Sequence, residues 1–130
     1  MNKEEMNKIF DETYQEVNAK RNFEKPFFKI SYFESSTLGA CVYRGYEYSK
    51  HKPVIRLNAI HCSSPEKTRM VLIHEFAHLI DYNSRGKSTH DKIYWTICKE
   101  LGYDPADYEL PNRHLKKVFN YSQANLEAEK

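Results

Sequence analysis

Four glycines, five prolines, three cysteines and one tryptophan are few for a chain of 130 residues. So little Gly and Pro excludes collagen-like and low-complexity architectures. The cysteines, Cys41, Cys62 and Cys98, are odd in number, far apart and never in a C-x-x-C pair. That spacing excludes a disulfide framework and a Cys-rich zinc ribbon. It fits small buried residues in a reducing compartment. No apolar run approaches the ~18 residues of a membrane span. The first ten residues, "MNKEEMNKIF", contain no apolar leader segment. The expectation is a cytoplasmic protein without membrane contact. A charge of one sign is also lacking: 20 Lys and Arg face 18 Asp and Glu, a net charge of +2. A dedicated nucleic-acid module is usually more lopsided, so weak contact with DNA is as much as the charge allows.

What the chain does have is apolar and aromatic residues, 40% and 14% of the total, with ten Tyr and seven Phe. With 29% charged residues this is the composition of a globular domain. The length suits one domain, and the reading is a single domain over residues 1–130 with a tail at about 113–130. Met6, Ile9, Phe10, Thr13, Tyr14 and Val17 recur at helical spacing and predict an amphipathic helix over 2–20. "FFKISYF" (27–33), "LGACVYR" (38–44) and "PVIRLNAI" (53–60) read as strands. "GYEYSKHK" (45–52) reads as the loop between the second and third. "SSPEK" (63–67) starts a helix, with Ser as cap, Pro just inside and Glu in the first turn. It should reach about residue 82 and break at "NSRGKS". A further helix should run from near 90 to Gly102, a natural C-cap. "DPADYELPN" (104–112) reads as loop. The expected fold class is α+β: an N-terminal helix, a small three- to four-stranded sheet, and two further helices.

The stretch "VLIHEFAHLIDYNSRGKSTH" (71–90) sets titratable groups where the chain is otherwise building core. His74 and His78 are four residues apart, so a helix carries both on one face. Both imidazoles can then ligate one ion, and Glu75 beside the first can reach water at that ion as a general base. A catalytic zinc needs a third protein ligand and an open fourth position. His90, twelve residues after His78 and beyond a Gly-containing loop, is the candidate. The competing reading is three histidines of an aromatic core that satisfy ordinary hydrogen bonds. Burying that many polar groups unpaired would cost roughly several kcal/mol, and a metal removes that cost.

With these residues in view the chain resembles the SprT-like zinc metallopeptidase domain, a group that includes bacterial SprT proteins and the catalytic domain of eukaryotic Spartan proteases. Besides "HEFAH", "STLGACVY" and "PVIRLN" look like the family's strands, and "GKSTHDKIYWTICKELG" looks like its third-ligand segment. The resemblance implies Zn2+ held by His74, His78 and His90, Glu75 as catalytic base, and hydrolysis of peptide bonds in protein substrates. Eukaryotic relatives act on proteins crosslinked to DNA, which makes DNA-associated proteins one implied substrate class. There are departures. The family's third His is often followed by Gly, where this chain has Asp91. Many members end in a four-Cys ribbon, and Gln123 stands where its first Cys would be. Two other readings remain: a zinc hydrolase acting on RNA, and a non-catalytic zinc-binding adaptor. Three-histidine endoribonucleases use H-x3-H-x5-H without a Glu after the first His, and a structural site has no use for Glu75.

Other residues carry weaker signals. Glu100 could serve as a later-helix ligand or as a solvated helix-end residue. Asp81 and Asp91 fit partners of the ligand histidines, or surface and capping roles. Tyr94 and Trp95 fit packing near the site, and Tyr94 could alternatively donate to a developing oxyanion. His114 and the cluster Arg113, Lys116 and Lys117 fit substrate or phosphate contact, or a solvated basic face. His51 and His61 are isolated and receive no role.

Overall fold

Helix α1, Lys3–Lys20, lays Met6, Phe10, Thr13, Tyr14 and Val17 into the interior. In this computed structural model the described residues are 1–32, 38–42 and 52–103. The helix starts at Asn2, whose side chain accepts from the Glu5 amide at 2.8 Å, and Glu4 and Glu5 complement its positive end. Ile9, expected on the same stripe, is only partly buried.

Three strands follow: β1 (Phe27–Ser31), β2 (Gly39–Val42) and β3 (Val54–Asn58). They form one sheet in the order β1-β3-β2. β1 runs parallel to β3 with Phe28 opposite Ile55, and β2 runs antiparallel with Cys41 opposite the same residue. This register puts Phe28, Ile30, Gly39, Cys41, Ile55 and Leu57 on one face, since side chains alternate along each strand. That face is packed into the core. β1 and β3 stop short of residues 33 and 60 for one reason. The chain turns after Asn58, whose carbonyl accepts from His61 and whose side chain accepts from Ile60, so β3 does not continue opposite Tyr32. The loop read at 45–52 falls, but for Lys52, outside the described residues, as do residues 104–112 and the tail.

Helix α2, Pro65–Arg85, packs against α1 and against β2 and β3 of the sheet. The start is as read: Ser64 accepts from the Lys67 amide at 3.2 Å and Pro65 opens the first turn. Every residue from 70 to 81 is buried, the mark of a helix enclosed on all sides. Phe76 sits at 5.5 Å from both Phe10 and Phe23, and Phe10 stacks on Phe28 at 4.3 Å. The helix runs three residues past the expected end near 82. Arg85 holds Asp81 one turn back, and Gly86 takes the left-handed conformation (φ 73°) that closes the last turn. Helix α3, Lys92–Glu100, packs on α2, and Gly102 follows it at φ 82°. No described helix is long and apolar enough to cross a membrane.

Candidate metal centre

His74 and His78 face the same way from the middle of α2, and neither reaches solvent. The loop 86–91 turns the chain back and delivers the half-buried His90 to them. His90 Nε2 lies 3.1 Å from His78 Nε2 and 3.3 Å from His74 Nε2. A ring nitrogen has either one hydrogen or one in-plane lone pair. His90 Nε2 therefore cannot make two good hydrogen bonds to both neighbours at once. A cation between the three rings removes the conflict. Ligand nitrogens ~2.0–2.1 Å from a tetrahedral zinc lie about 3.3 Å apart, and the two measured separations match. Among the described residues this is the group of His, Cys, Asp and Glu side chains that could hold a metal ion.

Each ring is held from behind. His78 Nδ1 meets Ser88 Oγ at 2.7 Å; with the proton on Nδ1 donated to the hydroxyl, the Nε2 lone pair is left for a metal. Tyr94 stacks on His78 at 4.1 Å, and its hydroxyl donates to the His74 carbonyl at 2.8 Å. Trp95 stacks on His90 at 5.0 Å, and Tyr103 stands edge-on to His74 at 6.1 Å. Burial first, then the nearby charge of His90, holds His74 well below the ordinary histidine range. The ring is thus neutral, the form that ligates metal.

Glu75 is 1% exposed and lies under the edge strand. Gly39 of β2 makes that approach possible. A Cβ there would stand 2.8 Å from the Arg56 carbonyl, 3.0 Å from Val71 and 3.7 Å from the Glu75 side chain.

The model of the SprT-like family matches residues 6–114. The chain belongs to the SprT-like family. No curated protein and no solved structure matches it.

In this family member the histidines singled out from sequence do meet, and several weaker candidates fall elsewhere. Tyr94 is fully buried and its hydroxyl is committed to the His74 carbonyl, so it braces α2 rather than facing an oxyanion. Glu100 pairs with Arg21 at 2.8 Å, beyond the end of α1, and joins no ligand cluster. Asp91 caps α3 through the Tyr94 amide at 3.1 Å. Asp81 is completely buried rather than on the surface, and both aspartates bind Arg85. His61 stands outside the trio. His51, His114, Arg113, Lys116, Lys117 and Gln123 lie outside the described residues. Two contributors escaped the sequence reading. Ser88 had no signal, being one more small polar residue in a turn. Arg85 had one in its i,i+4 spacing from Asp81.

Proposed function

We propose that this chain is a zinc-dependent peptidase that hydrolyses peptide bonds of protein substrates, with His74, His78 and His90 holding the metal and Glu75 as base. The observation that carries this reading is the convergence of three imidazole Nε2 atoms next to a buried carboxylate on the same helix. Three nitrogen donors leave a fourth position open, as catalytic zinc requires. Zinc bound there supplies a Lewis acid that polarises a carbonyl and acidifies water. The remaining work belongs to the chain. Glu75 takes the proton of the attacking water and hands it to the departing amine. Its burial keeps bulk water away from that transfer. Among the described residues no strand pairs with the outer edge of β2. An extended peptide added there would run past Gly39 and Glu75. Membership of the family favours a peptide over RNA, and a buried Glu75 beside the trio has no purpose in a non-catalytic adaptor. DNA-associated proteins remain the substrate class suggested by eukaryotic relatives.

The test is cleavage of an unstructured protein by the zinc-loaded chain, with and without single-stranded DNA, against Glu75→Gln. The expected result is cleavage by wild type and a loss of at least about 100-fold in the variant with zinc retained. Stimulation by DNA would support the DNA-associated substrate class. Zinc bound but no cleavage by either protein would overturn the peptidase reading.

A further inference from the structure

The two ends of the site loop are tied together by a group that touches no metal ligand directly. Arg85 is the last residue of α2, and its guanidinium grips the buried Asp81 with two bonds, Nε to Oδ1 at 2.7 Å and Nη2 to Oδ2 at 2.9 Å. The same Nη2 donates to Asp91 Oδ1 at 2.7 Å. Asp91 caps α3 and also accepts from the Thr89 hydroxyl at 3.2 Å, while its own amide donates to the Thr89 carbonyl at 2.7 Å. One cation thus spans from the enclosed helix to the first turn of the next. Between its two anchors lie Ser88, which meets His78, and His90, which meets both His74 and His78.

We infer that Arg85 is a positioning residue for the metal centre: by clasping Asp81 to Asp91 it fixes the 86–91 loop, and so sets how tightly His90 and Ser88 hold the ion. This rests on the reading that the three histidines take a divalent metal. The clasp suits arginine in particular. Its planar fork satisfies the Asp81 carboxylate bidentately and leaves a hydrogen of the same nitrogen for a second acceptor. Asp81 is wholly buried, so the fork cannot swing away without stranding a charge. A loop ordered in advance spares metal binding the entropy of ordering it.

The test compares the full chain with Arg85→Met, Asp91→Ser and the double variant. Zinc affinity and release are read by competition with a chromophoric chelator, and ligand geometry by the visible spectrum of the cobalt-loaded protein. Serine is a good helix cap, so Asp91→Ser keeps α3 capped while being too short to reach Arg85. Its metal-free melting temperature should stay within a few degrees of wild type. Each single variant should bind zinc about 10- to 100-fold more weakly, as loss of outer-shell support does elsewhere, with an altered cobalt spectrum. The double variant should be no worse than the weaker single, because both break one link. If Arg85→Met does not fold, Asp91→Ser decides alone. Wild-type affinity and an unchanged cobalt spectrum in Asp91→Ser would overturn the inference. A wild-type chain that takes up no metal would instead overturn the metal-centre reading beneath it.

Discussion

The candidate metal centre draws on two regions built in different ways. His74, Glu75 and His78 stand on a helix whose residues from 70 to 81 are all buried, so packing on every side fixes their place. His90 and Ser88 stand on a loop of six residues, 86–91, held at its ends by an ionic clasp and from one side by Trp95 stacked on His90. The first region gets its geometry from the core. The second gets it from a handful of polar and aromatic contacts. The contrast teaches where each kind of damage should appear: changes in α2 should cost the fold, and changes in the loop should cost the metal.

The largest test of that contrast sets His78→Ala against His90→Ala. Both should lose stoichiometric zinc. In the metal-free proteins, His78→Ala should cost about 2–4 kcal/mol by leaving a cavity against Tyr94, whereas His90→Ala should cost under about 1 kcal/mol. Urea unfolding of both apo variants measures the difference, and equal losses would erase the distinction. Next in size is Gly39→Ala. A methyl group 2.8 Å from the Arg56 carbonyl of β3 and 3.0 Å from Val71 of α2 forces β2 to shift, and overpacking of this kind costs about 1–3 kcal/mol. Thermal melts of the apo protein check it. Because Gly39 also abuts Glu75, cleavage should fall further than the loss of folded protein explains.

The smallest effect comes from two buried thiols. Burial pushes Cys62 up to about 11 and Cys98 up to about 12. A raised acid favours its protonated, neutral form in the fold. That stabilisation is complete below the unfolded thiol value of ~8.5 and is lost as pH rises toward the folded values. Melting temperature should therefore decline modestly above about pH 8.5. Alkylation of the native protein followed by mass spectrometry should modify Cys98 before Cys62. Cys98 sits on α3, the nine-residue helix beyond the loop, and small peripheral units open more often than the core. Labelling of Cys62 first would show that α3 opens less readily than the turn between β3 and α2.

Much of the fold and the heart of the site were legible in sequence because they rest on short-range rules. Ser64 and Asp91 occupy helix caps, Gly86 and Gly102 mark helix ends, and the four-residue gap between His74 and His78 needs only the helical repeat. The parallel pairing of β1 with β3 was not legible, since nothing local to residues 27–31 names a partner at 54–58. The early ends of those strands depend on the turn after Asn58, which is a property of the pair. Ser88 was invisible because its role depends on how the loop folds back. Tyr94 was placed near the site correctly, but which way its hydroxyl points is decided by three-dimensional packing.

The enclosure of α2 also bears on the order of events during synthesis. Both layers that wrap it, α1 and the sheet, lie earlier in the chain, so they leave the ribosome first. A helix whose middle, residues 70–81, has no solvent face gains little from forming alone, because most helical stability comes from packing. The ligand pair therefore comes together as its surroundings close, and the third ligand arrives last, from a segment synthesised after both. A nascent chain thus has Glu75 in place before His90 joins His74 and His78.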